Sequence, residues 1–154
     1  MIPNTTTKMT PTRILPDLQC SLVCEQVRQE TTGSFFLIGV INIIPVPQFP
    51  VTAPQLLVFN RWVAGIGQFN QTVRVIAPDM KTVLATSQGK IALDGPGSIA
   101  INVSVLQNVE FAAPGAYYVE VLVDDVMKLR YPLPIVVAQQ QGQRPPQQGE
   151  APTA

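Results

Sequence analysis

The sequence predicts an all-β fold, an antiparallel sandwich of about seven to eight strands, on three observations. Apolar residues recur at every second position in several runs, which is the period of a strand. Gly- and Pro-containing turns separate those runs at short intervals. Nowhere do ten residues show the 3.6-residue spacing of an amphipathic helix. The best-defined pair closes the chain. Tyr117, Val119, Val121 and Val123 alternate with Tyr118, Glu120, Leu122 and Asp124, and Asp124-Asp125 then turns the chain back through Met127, Leu129, Tyr131 and Leu133. A hairpin is marginal alone, so the rest of the chain must add sheet partners and a second layer.

In chain order, Leu18, Cys20, Leu22 and Cys24 share one face of a first strand, and the polar stretch Glu25 to Glu30 reads as a strand end or a short helical turn. Thr31-Thr32-Gly33 is a turn. Ser34 to Ile44 reads as a second strand, apolar on both sides, which calls for cover on both. Three prolines between Pro45 and Pro50 predict an extended loop rather than a central strand, because proline gives no ladder donor. Gln55 to Val63, Phe69 to Ala77 and Thr82 to Leu93 follow as strands, the last with a candidate break at Ser87-Gln88-Gly89. Ile99 to Val105 alternates cleanly, and the chain is expected to loosen after Leu106.

Composition narrows the function classes. Ten basic and ten acidic residues cancel, and no basic run exceeds two residues, so nucleic acid and anionic membrane find no electrostatic footprint. Charged residues make up 13%, about half the usual ~25%. Such a weakly charged surface favours contact with other protein. The longest apolar run spans about ten residues where a membrane helix needs about twenty, and no signal-peptide pattern opens the chain, so a cytoplasmic location is expected. Cys20 and Cys24, four residues apart in a strand, stand about 13 Å apart and cannot bridge. They are expected as free, buried thiols, with no zinc site because the chain has no histidine. The expected layout is a loose arm over 1–12, a sandwich domain over 13–138 and a disordered Gln/Pro-rich tail over 139–154.

Two resemblances sharpen the fold. Phe111-Ala112-Ala113-Pro114-Gly115-Ala116-Tyr117 resembles the corner of immunoglobulin-like domains, which implies that the Tyr117 hydroxyl bonds back to nearby main chain. Cys24-Glu25-Gln26-Val27-Arg28, Leu37-Ile38-Gly39-Val40-Ile41, Phe49-Pro50 and the stretch from Pro114-Gly115 through Tyr118 to Pro132-Leu133 are together similar to a bacterial family of uncharacterised β-sandwich proteins. Those stretches cover most of residues 18–138. That resemblance implies an immunoglobulin-like sandwich in a cytoplasmic setting and assigns no activity.

Catalysis has little to draw on. No histidine supplies a general base near neutral pH, no Gly-x-Ser-x-Gly occurs, and Gly65-x-Gly67 lacks the third glycine of a phosphate loop. Asp124-Asp125 reads as a hairpin turn rather than a calcium site. No cofactor and no metal are expected, and the chain is not expected to be an enzyme. The leading expectation is a non-catalytic interaction or assembly module, such as a subunit of a larger bacterial or phage-derived particle. Its partner is protein, another copy of itself first. The candidate contacts are Val46, Phe49 and Val51 in the proline loop and Phe35, Leu37, Ile41 and Ile43, or their alternates, on the second strand. The rival expectation is a small-ligand or enzymatic site in which two or more of Glu25, Arg28, Arg61, Asp94 and Arg130 converge on one pocket.

Overall fold

Alternation of apolar and polar side chains carries through to nine strands in a computed structural model that describes residues 12–139. They are β1 (Asp17–Gln29), β2 (Phe35–Val40), β3 (Ile44–Val46), β4 (Val51–Val63), β5 (Ile66–Ile76), β6 (Val83–Asp94), β7 (Ile99–Phe111), β8 (Gly115–Val123) and β9 (Val126–Val137). No helix occurs among the described residues. Two sheets form, with orders β2-β1-β4-β7 and β3-β9-β8-β5-β6. The arm over 1–12 and the tail over 139–154 lie outside the described residues, apart from Thr12 and Gln139.

The all-β sandwich stands, and its details differ from expectation in several places. The strands number nine rather than seven or eight, and the pairing is not wholly antiparallel, because β3 runs parallel to β9 with Ile44 opposite Ile135 and Val46 opposite Val137. Ser34 to Ile44 is not one strand. It ends at Val40, and Ile41 to Ile43 carry the chain across to the other sheet. The proline loop is partly strand. Pro45 is tolerated in β3 because that strand is an edge, and Pro54 falls inside β4 between the pairs Ala53–Val109 and Gln55–Gln107. Opposite Pro54, Asn108 takes φ 52. The core-facing set steps by one there, from Leu56 and Leu106 to Ala53 and Val109, which lets β7 run on to Phe111 instead of loosening after Leu106. Finally, β6 passes through Ser87-Gln88-Gly89 unbroken.

The turns follow their residues. Asp124 and Asp125 adopt φ 44 and 65, the doubly left-handed geometry of a two-residue hairpin turn, between paired Val123 and Val126. Between the sheets lie Val58, Trp62, Val73, Val75, Leu106, Phe111, Val119 and Ile135, all but fully buried. One polar cluster sits among them. Gln71 on β5 accepts from the Trp62 indole at 2.6 Å and from Asn60 at 3.3 Å, and donates to Asn102 at 2.6 Å and Ser104 at 3.1 Å. A buried amide left unpaired would cost about 1–3 kcal/mol, so Gln71 ties β5 of one sheet to β4 and β7 of the other. A second polar tie links Ser21 on β1 to the Tyr131 hydroxyl on β9 at 2.9 Å. Burial pushes Tyr131 up to about 12, against the Ser21 hydrogen bond.

Candidate interaction surface

Inward residues identify the outward ones. Val23, Val58 and Leu106 face the core, so their neighbours Leu22, Cys24, Leu57, Phe59, Val103 and Val105 stand on the outer face of the four-stranded sheet. Leu57, Phe59 and Cys24 are nevertheless buried. Their cover comes from the β1–β2 hairpin. Phe35 meets Phe59 edge to face, with ring centroids 5.6 Å apart. Phe59 pairs across from Leu22 and Phe35 from Gln29. Seven residues of straight strand would separate those points by about 23 Å. The hairpin must therefore bend back over the sheet.

The bend falls at Glu25 and Gly39, where the ladder skips from Cys24–Val40 to Gln26–Ile38. Gly39 takes φ 66, and a Cβ there would lie 2.6 Å from the Glu25 carboxylate. Only glycine meets both conditions without strain.

This geometry sorts the expected contact residues. Val46 is buried in the core, and Phe49, Val51 and Ile41 pack against it partly buried. Phe35 and Leu37 are half-buried, Phe35 beneath the bent hairpin, while Ile43 is exposed. The exposed apolar groups of β2 are the alternates Phe36, Ile38 and Val40. Sequence reasoning missed a further row, Ile99, Ile101 and Val105 on β7. Its alternation was visible in the sequence, but which strand lies at a sheet edge was not. Tyr117 opens β8, and its hydroxyl donates to the Ala113 carbonyl at 2.7 Å.

The rival site residues are dispersed. The Glu25 side chain lies against Gly39, Arg28 donates to Gln26, and Arg61 stands opposite Cys20. Asp94 borders a hollow of about 340 Å³ with Gly67, Gln68, Leu93 and Ser98. Arg130 instead joins Arg74 in clamping Glu120, at 2.5 and 2.6 Å. Burial pushes the Glu120 carboxyl up, but the hydrogen bonds and charges of the two arginines outweigh it and hold the group below its ordinary value. A second hollow, about 570 Å³, is lined by Arg13, Asn70, Thr72, Gln88, Asp124 and Asp125. Asp124 is already engaged there, accepting from the Asn70 amide at 2.9 Å and pairing with Arg13. The Asn70 hydrogen bond first, then Arg13, lowers its pKa.

Among the described residues no group of three or more His, Cys, Asp or Glu could hold a metal ion, and no helix is long and apolar enough to cross a membrane. Both cysteines are free, with Cys24 buried and Cys20 only half-buried. Burial, then the neighbouring Cys20, raises the Cys24 pKa. A family model described as "Family of unknown function (DUF6941)" matches residues 19–136. No curated protein matches the chain.

Proposed function

The chain belongs to that family of unknown function, and from this premise we propose that it is a non-catalytic interaction module that assembles with a second copy of itself. One observation carries the reading. Both edge strands of the four-stranded sheet expose apolar rows, Phe36, Ile38 and Val40 on β2 and Ile99, Ile101 and Val105 on β7. Apolar patches of more than a few hundred Å² are rare on monomers and mark contact surfaces. A closed two-fold dimer is the commonest way to cover them.

The module is immunoglobulin-like in this reading. β1, β4 and β7 correspond in order to strands A, B and E of such domains, and β5, β8 and β9 to C, F and G. The Tyr117 hydroxyl on the Ala113 carbonyl supports a tyrosine corner. The lack of histidine and the dispersal of Glu25, Arg28, Arg61, Asp94 and Arg130 support a role without catalysis. Two free cysteines suit a reducing bacterial cytoplasm. Low charge suits a subunit of a larger bacterial or phage-derived particle.

Light scattering on the purified full-length chain, through a dilution series into the low micromolar range, tests the reading. The expected mass is twice that of one chain. A single-chain mass at every concentration overturns it.

A further inference from the structure

We propose that the second copy docks on β2. Two β2 strands pair edge to edge and antiparallel about a two-fold axis at Leu37, so that two four-stranded sheets become one. This rests on the self-assembly reading above and gives it a place and a register.

Among the described residues the sandwich has four edge strands, and three of them are protected. β3 carries Pro45, with Pro47 just beyond it, and proline removes the donors a new strand would need. β6 and β7 run alongside one another where the two sheets meet. They lie so close that a Cβ on Gly89 would fall 2.7 Å from the Asn102 amide nitrogen. β6 also carries Lys90 and Asp94, the kind of charge that discourages edge pairing.

β2 has none of these devices. It is Phe-Phe-Leu-Ile-Gly-Val, its one ladder partner among the described residues is β1, and no charged residue occurs from Thr31 to Asn60. A short, uncharged segment rich in β-formers on an open edge is a template for another strand.

The occupant follows from self-complementarity. A two-fold axis brings each residue near its own copy or near a residue a few positions away, so any charge on β2 would repel itself, and none is there. Gly39 bends the strand after Ile38, which limits regular pairing to the segment around Leu37. With the axis at Leu37, Phe36 of each copy stands opposite Ile38 of the other. Phe36, Ile38 and Val40 are 53%, 42% and 46% exposed, and pairing covers the flanks of Phe36 and Ile38 where they meet across the new ladder. A standard interface buries about 800 Å² per partner. Those flanks and the new main-chain ladder come to less than that, so the pairing is of the weaker kind that dissociates on dilution.

The test uses full-length chains and light scattering. Ile38→Lys and, separately, Phe36→Lys replace exposed residues, so circular dichroism should stay unchanged while the dimer falls to a monomer. Melting should drop only by the concentration-dependent part that the dimer contributes. Ile101→Lys on β7 should leave the dimer intact. Mixing Phe36→Lys chains with Ile38→Glu chains should restore dimer mass, because the register sets the two new charges opposite one another. A dimer that survives both lysine variants, or a mixture that stays monomeric, overturns β2 docking. Loss of the dimer in Ile101→Lys alone overturns it too and leaves self-assembly standing. A monomeric wild type ends both.

Discussion

On the outer face of the five-stranded sheet, Arg74, Glu120 and Arg130 stand side by side on β5, β8 and β9, each in register with the next. Around them Asn70, Thr72, Gln88 and Lys90 present polar groups to solvent. The outer face of the four-stranded sheet carries Leu57, Phe59, Ile101, Val103 and Val105 at comparable positions. The first face satisfies its own groups, since every charge in the ladder has a partner within the chain. The second cannot, because apolar groups are satisfied only by being covered. The bent hairpin covers part of it and leaves the rest to a partner.

The largest effect is expected beneath the hairpin. If Phe59 is covered as a core residue is, Phe59→Ala should cost about 3–5 kcal/mol in urea unfolding, although the side chain faces away from the core. A loss near 1 kcal/mol would mean the hairpin leaves that face open, and the contrast between the faces would widen. The bend itself comes next. Gly39→Ala places a Cβ at φ 66 against the Glu25 side chain, for a cost of about 2 kcal/mol. Glu25→Ala in the same chain should recover the steric part and leave the backbone part. Equal losses in the single and double variants would remove Glu25 from the account.

On the polar face the effects should be smaller and depend on pH. Glu120→Gln leaves Arg74 and Arg130 without their carboxylate, but both are about one-third exposed and can turn to water, so about 1–2 kcal/mol is expected at neutral pH. The sign of the pH effect follows from the depressed carboxyl. Its folded pKa lies below the ordinary 4.5, so its contribution is complete above that value and fades as pH falls through the folded one. Wild type and Glu120→Gln should therefore converge in stability under acid. A constant gap across that range would mean the carboxylate is not what holds the ladder.

Much of the polar face was legible in sequence, and much of the apolar face was not. Glu120 lies in a cleanly alternating strand, where side-chain direction follows from period two. The Asp124-Asp125 turn alone would set it opposite Leu129, but a register shift between Val121 and Leu122 brings Arg130 there instead. Phe35 to Ile44 has apolar residues on both sides, so period alone could not say which set is covered. Gly39 was visible as a residue but not as a bend, since its meaning depends on Glu25 lying against it.

The sequence by itself determined the all-β class, the positions of most strands, the closing hairpin and the apolar character of β2, because these depend on residues within one or two turns of one another. The tertiary structure alone decided that residues 34–44 divide between two sheets, that β3 pairs parallel to β9, and that Gln71 links the layers. It also decided that Phe35 lies over Phe59 while Phe36 faces outward. Each of these joins residues far apart in the chain, where local preference says nothing and the outcome is set by which apolar groups can be covered together.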